Sequence, residues 1–136
     1  YVGYSETMIR NQLSIDYACI VSTGQSEEEG YHAMRQLWED EDLTAVLCAN
    51  DITAVGALQA LREYRSRSRR ISVISIDDIE AAQTTTPLLT TVHIPREAMA
   101  HMAVQVLHAR ILHGHTEKLR VEFPCRIIER ESCFRI

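Results

Sequence analysis

Thr44–Glu63, TAVLCANDITAVGALQALRE, decides how this chain is read. Thr44–Ala49 is a short apolar run of β-favouring residues, the pattern of a strand buried on both faces. From Ile52 the rhythm changes, and Ile52, Val55, Leu58 and Leu61 recur every three residues, as in a helix. Asn50 and Asp51 stand at the junction, and either can cap the helix through a side-chain oxygen. A buried strand running straight into a helix is half of a βαβ unit. In sheets built from such units, ligands bind beyond the carboxyl ends of the strands, where Asn50 lies.

The same alternation extends to both sides. Residues 1–12 read as a helix with Val2, Tyr4, Met8 and Ile9 as apolar positions, followed by a buried strand, YACIVS, at Tyr17–Ser22. Ser26 and Glu29 have the spacing of a capping box, and Glu27–Glu29 favour a helix N-terminus there. That helix should turn Met34, Leu37 and Trp38 inward and end in the acidic run Glu39–Asp42, a solvated helix end rather than a metal site. Ile71–Ile76 is a third buried strand. A polar loop through Pro87 leads to the extended LLTTVHI, then to a helix from Arg96 to His113 stopped by Gly114. Leu119–Phe123 and Arg126–Arg130 complete the pattern as short strands broken at Pro124. The fold class is α/β, a parallel sheet layered with helices on both faces.

Composition narrows the function. With 136 residues the chain makes one domain, and its net charge of −5 argues against a nucleic-acid binder. Five arginines crowd residues 62–70, but no aromatic or glycine-rich platform accompanies them in the sequence. No apolar run approaches the length of a membrane span. Cys19, Cys48, Cys125 and Cys133 lack C-x-x-C spacing and read as reduced, mostly buried thiols of a cytosolic protein.

Three strand ends place polar groups along one edge: Ser22, Thr23 and Gln25; Asn50 and Asp51; Asp77 and Asp78. This set of donors and acceptors suits a neutral polyhydroxylated ligand. Catalysis finds less support, because no nucleophile elbow, P-loop or dinucleotide fingerprint occurs. A phosphoacceptor receiver domain needs a lysine after a late strand, and the only lysine is Lys118. His101, His108 and His115 are spaced by seven, which puts the first two about 10 Å apart on a helix, too far for one zinc ion. No metal or cofactor is expected.

AVLCANDITAVGALQAL, ISVISIDDIE, TPLLTTVHIP and RIIERES, in that order, resemble the effector domain of the lactose/galactose-repressor family of bacterial transcription regulators. The resemblance runs from Gly3-Tyr4 through Ser132. It implies a type I periplasmic-binding-protein-like fold, of which residues 1–136 are the C-terminal part, an incomplete C-terminal lobe. The helix-turn-helix and most of the N-terminal lobe would lie outside it. It further implies that Asn50 and Asp77 hydrogen-bond a small effector, with Gln25 and Arg96 at two further effector-facing positions. Gln25 stands where an aromatic is frequent, Ile76 replaces an aromatic, and Arg65 stands where a helix-ending glycine is common. The helix after Asn50-Asp51 would line a homodimer interface through Val55 and Leu58, with Ala54, Gly56 and Ala57 allowing close approach of the partner. The implied function is that of a non-enzymatic cytoplasmic regulator of a sugar-type effector, meeting operator DNA through its missing N-terminal domain and no membrane. The alternative is a periplasmic sugar-binding receptor of an uptake system. The helix 96–113 is apolar over most of its circumference and should need cover beyond a lone monomer.

Overall fold

The computed structural model describes residues 1–40, 42–64, 69–114 and 116–135. Glu41, Arg65, Arg67 and His115, which figure in the sequence reading, lie outside the described residues. The helices are α1 (Val2–Arg10), α2 (Glu27–Leu37), α3 (Asp51–Glu63) and α4 (Arg96–His113). The strands are β1 (Ala45–Leu47), β2 (Ser72–Asp77), β3 (Thr90–His93) and β4 (Arg126–Ile128). They form one sheet in the order β1-β2-β3-β4, parallel across the first three and antiparallel at β4.

Local chemistry sets the helix limits. Ser26 and Glu29 form the expected capping box: Ser26 Oγ accepts from Glu29 N at 3.2 Å and donates to Glu29 Oε2 at 2.7 Å. Asn50 is the cap of α3, accepting from Thr53 N through Oδ1 at 2.9 Å. Gly114 closes α4 in the left-handed conformation at φ 63°.

The core lies between α3 and the sheet, with α2 packed against α3. Met34, Trp38, Ala54, Ala57, Leu58, Val73 and Leu89 are buried in it. The two helices cross at glycines. A Cβ on Gly56 would sit inside the Glu27 carbonyl, and one on Gly30 inside the Thr53 carbonyl. Gly56 therefore serves close approach of α2 within the chain, and Ala54 and Ala57 beside it are buried. The period of three in α3 is a poor guide to its inner face. Each three-residue step falls about 60° short of a full turn, so Ile52 and Leu61 lie on opposite sides. Ile52 is exposed, Val55 and Leu61 are half-buried, and Leu58 is in the core at 3 % exposure.

Other expectations fail. Tyr17–Ser22 is not a strand; Tyr17–Cys19 forms a single 3-10 turn capped by Asp16, and the segment joins no ladder among the described residues. Leu119–Phe123 is likewise irregular. With no neighbour beyond it among the described residues, β1 is an edge strand, and Leu47 is 52 % exposed rather than buried on both faces. In β2 only Val73 and Ser75 are buried while Ser72, Ile74 and Ile76 on the opposite face are half-buried, so full cover reaches one face of the sheet. Cys48 alone of the four cysteines is buried; Cys19, on the expected strand that does not form, is half-buried, and Cys125 and Cys133 are exposed.

Two of the described arginines of the basic run, Arg69 and Arg70, have aromatic partners. Arg69 lies 4.5 Å above the Trp38 ring, which stacks on Tyr64 at 4.3 Å, and Arg70 lies 3.9 Å above Phe134. These contacts hold the arginines on the chain's own surface. Helix α4 buries no residue, and Val104 (66 %) and Ile111 (71 %) face outward.

Replacing Gly56 with alanine forces a methyl group into backbone that has no rotamer to yield. The expected cost is about 1–3 kcal/mol, read as a lowered urea midpoint, whereas Gly3→Ala, with open space around it in α1, should not lower the midpoint.

Candidate functional site

The site is built on the carboxyl ends of β1, β2 and β3, and one buried carboxylate ties them together. Asp51, the first residue of α3, is 0 % exposed. Its Oδ1 accepts from Ser75 Oγ on β2 and from Thr91 Oγ1 on β3, the latter at 2.6 Å. Its Oδ2 accepts from Ile79 N at 2.8 Å. Three donors and the N-terminal end of a helix thus compensate the burial of the charge. Asn50 and Asp51 divide their work: Asn50 caps the helix and Asp51 pins the strand ends.

The turn after β2 is unusual. Asp77 has φ 125° and Asp78 φ 56°. Positive φ is tolerated by aspartate better than by most residues, but at 125° it is strained and persists only where the surroundings impose it. Asp78 is gripped on every side. Arg130 Nη2 donates to Asp78 Oδ1 at 2.6 Å, and His93 Nδ1 lies 2.9 Å from Asp78 Oδ2. Arg96 Nη2 donates to the Asp78 carbonyl at 3.3 Å, and Asp78 N donates to Thr91 Oγ1 at 3.4 Å. Partial burial raises the Asp78 carboxyl, but the Arg130 and His93 hydrogen bonds outweigh it and hold the group below the usual aspartate value.

Asp77 is the contrast. No hydrogen bond engages its carboxylate among the described residues. Burial, reinforced by the Asp51 charge and partly offset by Arg96, pushes its pKa up. Asn50 Nδ2 is similarly unengaged among the described residues. The edge therefore offers one carboxylate acceptor, one amide donor and the exposed Arg96 guanidinium. Cys48 supplies no nucleophile, since burial and the Asp51 charge push its thiol up to about 12.

Of the residues expected to meet an effector, Asn50, Asp77 and Arg96 gather around this turn: Asn50 adjoins Asp51, which binds Ile79, and Arg96 reaches Asp78. Gln25 is exposed in the loop before Ser26, and among the described residues no hydrogen bond ties it to the other three. Val55 sits on the outer side of α3, beside a shallow depression lined by Glu27, Gln59, Arg62, Ala81 and Thr84. Leu58 reaches the same depression only with the edge of a core side chain.

The profile of the periplasmic-binding-protein-like domain matches residues 1–133. The chain belongs to that family. Within it, the relatives are LacI-family transcription regulators, and the sequence and fold are those of their effector domain. The chain is 36 % identical over 132 residues to the HTH-type transcriptional repressor PurR of Salmonella paratyphi B, covering 96 % of this chain and 39 % of the repressor. The transcriptional regulator CelR in its cellobiose complex superposes with a TM-score of 0.87 at 29 % identity, over 96 % of this chain and 40 % of that one. A LacI-family regulator from Enterococcus faecium with bound ribose gives 0.84 at 27 % identity, over 96 % and 49 %. The chain spans about two fifths of the PurR length. These relatives are regulators rather than enzymes, and no described helix is long and apolar enough to cross a membrane.

Two residues of this effector-domain edge escape sequence reasoning. Arg130 lies 52 positions from Asp78, so no local spacing links them. His93 has no histidine partner at metal-ligand spacing, so spacing alone passes over it. The strongest available signal for both is the second aspartate of the D-D pair, which needs a cationic partner if buried.

Asp51→Ala would strand three donors at once, two of them buried. Unfolding by denaturant should show a loss of about 2–5 kcal/mol. Asn50→Ala removes only the cap and should cost about 0.5–2 kcal/mol.

Proposed function

We propose that residues 1–136 are the effector-binding and dimerisation region of a cytoplasmic DNA-binding transcription regulator that senses a sugar or sugar derivative. The regulator meets operator DNA through a helix-turn-helix outside these residues, and the region performs no catalysis. One observation carries the reading: Asp77 presents a carboxylate that no described residue hydrogen-bonds, at strained φ, near Asn50 and Arg96, at the strand ends where ligands bind in such sheets. Asp77 accepts from ligand hydroxyls. Asn50, whose Oδ1 is committed to Thr53, donates through its amide nitrogen. Arg96 donates to a ligand oxygen, and Gln25 closes the site from the α2 side. Hydroxyl groups answer all of these needs, because each both donates and accepts. The alternative, a sugar receptor of an uptake system, is less favoured because the relatives are transcription regulators.

Homodimerisation is the second part of the proposal. Val55 supplies its apolar contact on the outer side of α3, and Leu58 supports that contact from the core. The outward apolar side chains of α4 call for cover as well, from the remainder of the regulator or from a partner chain.

In the full-length protein, Asp77→Ala should weaken effector binding tenfold or more by calorimetry, since an unpaired buried group costs about 1–3 kcal/mol. The acceptor role needs the ionised carboxylate. Its pKa is raised, so affinity should fall on acidification at a higher pH than an ordinary aspartate would give. Unchanged affinity in the variant would remove Asp77 from the site. Val55→Glu should shift the sedimentation equilibrium from dimer toward monomer; an unaltered dimer constant would place the interface elsewhere.

A further inference from the structure

We propose that Arg130, with His93, is a positioning residue for the effector site, acting through Asp78 to hold Asp77 in its binding conformation. The inference rests on the effector reading of Asp77, but the geometry behind it is independent of any ligand. Asp77 and Asp78 are consecutive non-glycine residues at positive φ, at 125° and 56°. Strain of that kind relaxes unless the surroundings over-determine it. The restraints fall almost entirely on Asp78 and Ile79. Arg130 and His93 hold the two oxygens of the Asp78 carboxylate, and Arg96 holds its carbonyl. Asp51 holds Ile79 N. Asp77 itself has no side-chain bond among the described residues, so its direction is set by its neighbour.

Arg130 is well placed to bear this load. Its Nη1 donates to the Leu89 carbonyl at 2.8 Å and its backbone N to Thr90 Oγ1 at 2.9 Å, so the guanidinium is anchored to the start of β3 before it meets Asp78. Both partners are largely buried, at 14 % and 13 % side-chain exposure. The Arg130 charge also neutralises Asp78, which leaves Asp77 as the acceptor presented to a ligand. A guanidinium that bridges the Leu89 carbonyl and the Asp78 carboxylate uses a planar fork that lysine cannot reproduce in full.

The test is made on the full-length protein without ligand. Arg130→Gln and Asp78→Asn are compared with the parent by hydrogen exchange at the Ile79 amide and by carboxyl 13C titration of Asp77. In both variants the turn should relax, exchange at Ile79 should rise about tenfold or more, and the Asp77 midpoint should fall toward the ordinary aspartate value as the carboxyl gains solvent and moves from Asp51. The double variant should go no further than either single one, and Arg130→Lys should restore part of the protection. Amides in α3 such as Ala57 report general destabilisation. If Arg130→Gln loses protection uniformly, or leaves the Asp77 midpoint in place, Arg130 is structural only and the inference is overturned. Should Arg130→Gln fail to fold, exchange at Ile79 measured against Ala57 in Asp78→Asn decides between the same two outcomes, since the midpoint there also feels the lost Asp78 charge. Because no ligand is used, failure here is distinguishable from failure of the effector assignment, which Asp77→Ala decides separately.

Discussion

Everything at the functional edge depends on the buried carboxylate of Asp51. It stands at the first residue of α3, yet its hydrogen bonds go to β2, to β3 and to the loop after β2. A buried carboxylate without donors is too costly to exist, so its presence demands that Ser75, Thr91 and Ile79 converge. That convergence fixes how far each strand end stands from the others. Asp78, locked by Arg130 and His93, then fixes the direction of the turn. Asp77 is what remains unlocked, and the two buried carboxylates beneath and beside it explain why it can remain so.

A second constraint is steric. The α2–α3 crossing brings Gly30 and Gly56 against opposing backbone, which no side chain would permit. This holds the first turn of α2 against the first two turns of α3. Small residues in α3 look equally suited to a partner chain. Gly56 meets α2 backbone and Ala54 and Ala57 are buried in the chain, and what α3 offers outward is Val55 and its polar neighbours.

Much of this is legible in the sequence because it is local. The Ser26–Glu29 capping box, the Asn50 cap and the limits of α4 each rest on residues within a few positions of one another, where spacing encodes geometry directly. Strand and helix order follows from periodicity, and the resemblance of four motifs in sequence carries the family. The failures share the opposite cause. Whether YACIVS becomes a strand depends on finding a neighbour, which its own residues cannot specify. The interior face of α3 depends on α2, and the pairing of Asp78 with Arg130 depends on chain closure between residues far apart. The same closure brings Ser132 under β2 and β3, where its Oγ donates to the Val73 carbonyl and accepts from Thr90 N.

The account therefore stands on one geometric claim, that the strand ends tied by Asp51 hold Asp77 and Asn50 ready for a ligand. A screen of sugars, sugar phosphates and nucleobases would supply that ligand, and a crystal structure of the full-length protein bound to it tests the claim most directly. The account predicts a ligand hydroxyl within hydrogen-bond distance of the Asp77 carboxylate, a ligand oxygen on Asn50 Nδ2, and Asp78 still paired with Arg130. A ligand seated away from the β2–β3 ends, with Asp77 facing solvent, would contradict it.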